Sequence, residues 1–83
     1  MRIIWDEPKR LANIDKHNFD LAEVTAEFID DSTFFPAKLG HIAAVGFFRG
    51  ALMTAIIEPL GTEAIAVISF RLSSKKERRQ FWS

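Results

Sequence analysis

The side chains best able to do chemistry near neutral pH fall in two places. One is the dipeptide Lys16-His17, and the other is a run of Arg71, Lys75, Lys76, Arg78 and Arg79 within nine residues. His17 can exchange a proton near pH 7 while Lys16 holds an anion beside it. The pair also has a plainer reading as cations that close a helix, where the helix dipole favours positive charge. His41, at the entrance to a strand pattern, carries the same two readings. The basic run ends in Phe81-Trp82, which suits phosphate contact plus base stacking, although a charge run also reads as a solvated helix face.

Other chemistries lack their residues. With no cysteine, the chain has no disulfide, no Cys-ligated zinc, no iron–sulfur cluster and no thiol nucleophile. His17 and His41 lie in different elements, and no His-x-x-x-His or His-Glu-x-x-His spacing exists, so no metal is expected. No glycine-rich phosphate loop is present either, and no cofactor is expected.

The elements that must position these groups read as α+β. Arg2 to Trp5 is rich in β-formers; Asp6 then caps a helix with Glu7 and Pro8 in its first turn, running to about Asn18. A second helix is predicted from Asp20, with Glu23 completing a capping box and Leu21, Val24, Thr25 and Phe28 on one face, closing at Asp30-Asp31-Ser32. The period then changes. Thr33 to Phe35, stopped by Pro36, reads as an edge strand. Ile42 to Phe48, Ala51 to Ile57 and Ala64 to Phe70 follow as a meander broken at Arg49-Gly50 and Pro59-Leu60-Gly61. These runs are nearly continuous, so the sheet is expected to be covered on both faces. Ser74 and Glu77 form a second capping box that opens a short last helix, docked through Leu72, Phe81 or Trp82 or ordered by binding. The expected fold is one domain over residues 1–83: an N-terminal strand and two helices, an antiparallel sheet of about four strands, and a short C-terminal helix.

Composition agrees with that scale. Eighty-three residues, 48% hydrophobic and 27% charged, leave room for a single core. Eleven basic residues balance eleven acidic ones, but unevenly. Residues 1–70 hold six basic and ten acidic side chains, whereas residues 71–83 hold five basic and one acidic. An acidic body therefore carries a basic last segment. The opening Met1 to Asp6 turns acidic at once, so no signal peptide and a cytoplasmic location are expected. Leu39 to Ile57 carries Arg49 as its only full charge, but Arg49-Gly50 at its midpoint makes it a hairpin rather than a membrane span. Phe34, Phe35, Phe47, Phe48, Phe81 and Trp82 are many large apolar side chains for so short a chain, and a stable partner is expected to cover some of them.

Two separated motifs carry a family resemblance. Trp5-Asp6-x-x-Lys9-x-x-x-Asn13-x-x-Lys16-His17-x-Phe19 near the start resembles the BrnT pattern W-D-x-x-K-x-x-x-N-x-x-K-H-G-V-x-F. Val67-Ile68-Ser69-Phe70-Arg71, with the basic Lys76-Glu77-Arg78-Arg79 behind it, resembles the family's I-I-S-A-R element and final helix. The likeness runs from Ile3 to Trp82. It implies a RelE-like fold and the toxin of a type II toxin–antitoxin pair: a metal-independent endoribonuclease that inhibits growth and is neutralised by a BrnA antitoxin in a hetero-oligomer. The catalytic positions it implies are Lys16, His17, Glu58, Arg71 and Arg78, with His41, Arg49, Lys75, Lys76 and Arg79 as RNA contacts.

The chain also departs from the pattern. Ala64 and Ala66 stand where the family commonly has arginines, and Pro59 follows Glu58 where arginine is common. Those departures raise an alternative: a catalytically weakened or inactive RelE-like module that binds its antitoxin and acts in transcriptional autoregulation.

Overall fold

The first helix is fixed by its ends. In the computed structural model, which describes all of residues 1–83, α1 spans Glu7–His17. Asp6 accepts a hydrogen bond from the Lys9 N–H at its start, and Asn18 ends it in the left-handed region at φ 64. The expected second helix is broken in two. Asp20 caps only a single 3₁₀ turn, Leu21–Glu23, by accepting from the Ala22 N–H, while its other oxygen takes Arg10 at 3.0 Å. Val24 is extended, and Thr25 starts α2 (Ala26–Asp31) by accepting from the Phe28 N–H. Glu23 forms no capping box because its carboxylate pairs with Arg49 at 2.9 Å. The break lets Leu21, Val24, Phe28 and Ile29 all point into one core.

Five strands form the sheet, not about four. They are β1 (Arg2–Ile4), β2 (Thr33–Pro36), β3 (Ile42–Phe48), β4 (Ala51–Leu60) and β5 (Ala64–Leu72), in the order β1-β5-β4-β3-β2. The meander is antiparallel as expected, but β1 adds to β5 in parallel, Arg2 beside Ala64 and Ile4 beside Ala66, so the sheet is mixed. Three residues cannot stand as a strand alone; they persist by closing an open sheet edge. Both β4 and β5 outrun their predicted ends, and the turn falls at residues 61–63, just beyond Pro59. Between β3 and β4, Arg49 and Gly50 both adopt positive φ, the geometry of a tight two-residue hairpin.

One face of the sheet holds the core. Leu21, Val24, Phe28 and Ile29 pack on Ala44, Met53, Ala55, Ile57, Val67 and Phe70. Phe70 is fully buried, with Phe19, Phe28 and Phe48 set edge-on around it at 5.2 to 5.9 Å. Phe48 is thus part of the core rather than of an exposed patch. On the other face Val45 and Thr54 are fully buried, and α3 (Lys75–Trp82) lies there, with Phe47 against Phe81 and Trp82. Part of the second cover is therefore supplied by the chain itself.

Because β1 stops beside Ala66, the upper half of β5 has a bare edge. Asn13 occupies it. Its amide donates to the carbonyls of Phe19 (2.7 Å) and Phe70 (2.8 Å), and its oxygen accepts from the Phe70 N–H (3.1 Å) and the Ser69 hydroxyl (3.2 Å). One buried side chain thus does the work of a neighbouring strand and ties α1 to β5. Asn13→Ala would leave the Phe70 N–H and C=O without partners, each costing about 1–3 kcal/mol. The variant should lose about 2–4 kcal/mol of stability, read as a lowered urea midpoint. A midpoint close to wild type would contradict the assignment.

Candidate functional site

The top of β5 is where the sequence's chemistry gathers. A bulge leaves Ile68 unpaired between the Ile56–Ser69 and Ile57–Val67 pairs, and two residues past Ser69 the strand delivers Arg71 beside the C-terminal end of α1. A cleft of about 470 Å³ is lined there by Lys16, His17, Phe19, Arg71, Leu72 and Ser74. Burial pushes the half-buried His17 imidazole below its ordinary value, and the charges of Lys16 and Arg71 act in the same direction. The ring is accordingly neutral at pH 7 and able to accept a proton.

Arg71 does not stand free. Its guanidinium makes a two-pronged pair with Glu77, Nη1 to Oε1 at 2.7 Å and Nη2 to Oε2 at 3.0 Å. The same carboxylate accepts from the Ser74 N–H at 2.8 Å, completing the predicted capping box, and from the Thr54 hydroxyl at 2.9 Å. Thr54 is in turn bonded to the buried Ser73 hydroxyl at 2.8 Å. Burial acts to raise the Glu77 pKa, but the hydrogen bonds from Arg71, Ser74 and Thr54 overcome it and hold the carboxyl at about 2. Side-chain exposure of 27% for Arg71 and 14% for Glu77 leaves an edge of the guanidinium within reach of solvent.

The other side of Arg71 opens into a second cleft of about 540 Å³. Its floor is Ala43 and Ile56, one wall is α3 with Lys76, Glu77 and Gln80, and the opposite wall is the loop bearing Lys38, Leu39 and His41. Leu39 sits in that loop with a left-handed backbone, φ 59, and is 91% exposed.

Of the residues singled out in the sequence, Lys16, His17 and Arg71 share one cleft, and Arg71, His41 and Lys76 share the next. Five more lie apart. Glu58 is exposed near the far end of β4 and lines a different hollow with Trp5, Asp6 and Lys9, four residues or about 13 Å along the strand from Thr54, the partner of Arg71. Arg78 donates to the Ser73 carbonyl at 3.0 Å and, with Lys75 and Arg79, surrounds Trp82 on the outer side of α3. Arg49 is paired with Glu23 and lies 4.8 Å above the Phe48 ring, on the helical side of the sheet. Lys38 and Gln80 line the larger cleft without having stood out in the sequence, since lone polar residues carry no spacing signal, and Lys9, a motif residue given no role there, lines a cleft along α1. No three His, Asp or Glu side chains converge to hold a metal ion.

Fold and clefts together define a small α+β protein with a mixed five-stranded sheet that gathers cations at the end of one inner strand. The chain belongs to the BrnT family: residues 5–77 match the family described as the ribonuclease toxin, BrnT, of type II toxin–antitoxin systems. Among solved structures it is similar to the Brucella abortus ribonuclease toxin BrnT, with 45% identity and a TM-score of 0.82 over 90% of this chain and 99% of that one. No curated protein matches the chain. Membership of a type II toxin family implies an antitoxin partner. No helix is long and apolar enough to cross a membrane.

The Glu77 network makes a prediction of its own. A carboxyl held at about 2 in the folded chain, against its ordinary value of 4.5, stabilises the fold fully above pH 4.5, and the contribution is lost as pH falls from there toward 2. Glu77→Ala removes both the cap and the charge-assisted bonds, so it should cost about 2 kcal/mol at pH 7 and flatten the acid limb of a melting-temperature profile. An unchanged acid limb would count against the network.

Proposed function

We propose that this chain is a metal-independent endoribonuclease toxin that acts in the cytoplasm, inhibits growth by cutting RNA, and is neutralised by a BrnA-like antitoxin. The observation that carries this reading is the meeting of His17, Lys16 and Arg71 around one cleft. RNA cleavage without metal needs a base for the 2′-hydroxyl and fixed cations for the crowded phosphorane. A neutral His17 takes the hydroxyl proton as the 2′-oxygen attacks the adjacent phosphorus. Arg71 holds the phosphate oxygens, and the 5′-oxygen leaves with a proton given by the Lys16 ammonium as its bond to phosphorus breaks. Products are a 2′,3′-cyclic phosphate and a 5′-hydroxyl. Glu58 and Arg78 are left without a catalytic task in this reading, because one lines a separate hollow and the other anchors α3.

A second reading draws on two observations. The Arg71 fork is already filled by Glu77, and Ala64, Ala66 and Pro59 offer no cation at positions where the family pattern commonly calls for arginine. In that case the chain is an antitoxin-binding module in autoregulation, with no cleavage.

Expression without antitoxin separates the two. The nuclease reading expects growth arrest, RNA cleavage that survives EDTA, and cyclic-phosphate ends. Arg71→Ala should relieve the arrest and cut turnover by about a hundredfold or more, the loss of one transition-state donor. The rate should rise with pH through a midpoint below the ordinary histidine value, and Lys16→Gln should move that midpoint up by removing a repelling charge. A harmless wild-type chain that cuts no RNA at low salt would leave the binding module.

A further inference from the structure

The clefts beside Arg71 are not separate. A third, of about 260 Å³, runs along α1 and is lined by Lys9, Asn13, Lys16, His17 and Ser69 among others. It shares Lys16 and His17 with the cleft at the α1 end, which in turn shares Arg71 and Ser74 with the larger one under α3. The three join into one groove. It begins at Lys9, passes His17, crosses the end of β5 at Arg71, and finishes between Lys76 and Lys38 on the opposite face of the sheet.

Charge is sorted along this path. Five of the chain's eleven cationic side chains line it, Lys9, Lys16, Lys38, Arg71 and Lys76, together with both histidines. Of eleven carboxylates Glu77 alone lines these three clefts, paired with Arg71, while Asp6 and Glu58 line the hollow that adjoins the groove at Lys9. An acidic body that keeps its other eight carboxylates away from this groove is built for a polyanion. Shape then selects among polyanions. The path bends from the α1 side of the sheet to the α3 side, which a flexible single strand can follow and a double helix, stiff over about 50 nm in DNA, cannot.

Resting on the nuclease reading above, we infer that the groove is a binding track for single-stranded RNA, with Lys9 and Lys38 as phosphate subsites at its two ends and the scissile phosphate at Arg71. Lys9 meets the strand on the α1 side, and Lys38 and Lys76 grip it from facing walls beyond the cut.

The test uses the full chain and 2′-O-methyl RNA, which lacks the attacking hydroxyl, with binding read by fluorescence anisotropy. Affinity should climb with strand length and level off at about six nucleotides, within the usual range for single-strand sites. A duplex of the same sequence should bind at least about tenfold more weakly. Five contacts predict that log Kd rises with log salt with a slope of about 3.5, and Lys9→Ala or Lys38→Ala should each lower that slope by about 0.7. Arg2→Ala, which removes the same charge outside the groove, should bind like wild type. Equal binding of duplex overturns the track. So do Lys9 and Lys38 variants that match Arg2→Ala while Arg71→Ala loses binding, an outcome that leaves the nuclease reading standing. Lys9 and Lys38 variants that weaken capture of the purified antitoxin but not of RNA overturn it in favour of a protein-binding groove. Failure to bind or cut RNA of any length removes the nuclease reading together with the track.

Discussion

Four hydrogen bonds converge on one carboxylate, and the geometry of the candidate site depends on them. Glu77 receives both prongs of Arg71, the N–H of the cap residue Ser74 and the Thr54 hydroxyl. Along α3 only Glu77 and Phe81 are more than marginally covered, so these two residues, one turn apart, hold the helix to the sheet. Eight residues are too few for a helix to persist in water unaided. The pair therefore sets the wall of the larger cleft as well as the direction in which Arg71 points. A charge-assisted fork of this kind is strong where half-buried, and the Arg71 side chain it holds is still 27% exposed.

Asn13 performs the equivalent service on the other side of β5. It replaces the strand that β1 fails to supply and thereby sets Lys16 and His17, one turn further along α1, against the Arg71 end of the strand. Candidate site residues from a helix and a strand far apart in sequence are thus brought together by two buried polar anchors rather than by apolar packing alone. A body of net negative charge leaves five cations and both histidines along the clefts around Arg71, an arrangement whose electrostatics favour an anion there.

Much of this was legible in the residues. Asp6, Pro8 and the Ser74–Glu77 box marked helix starts correctly, and the three apolar runs marked the meander, because caps and periodicity are local signals. The second helix was misread because Asp20 and Thr25 are both competent caps and nothing local says which one wins; Arg49, twenty-six residues beyond Glu23, takes the carboxylate that the box needed. The parallel pairing of β1 was equally hidden, since a three-residue strand carries no mark of its partner. In the site, the Lys16-His17 and Arg71 motifs were legible as chemistry. That Glu77 would fill the Arg71 fork, and that Glu58 would stand apart, are facts of tertiary register that spacing does not encode.

The central claim is that Arg71 serves two anions in turn, Glu77 in the free chain and an RNA phosphate in the complex. The most direct measurement is the affinity of Glu77→Gln for a single-stranded 2′-O-methyl RNA, taken well below the melting temperature of the variant. Removing the competing charge while keeping the side-chain shape should leave binding equal to wild type or tighten it severalfold, even as stability falls. A folded Glu77→Gln protein that binds RNA about tenfold more weakly would contradict the account, because Glu77 would then be helping the phosphate to bind rather than standing in its place.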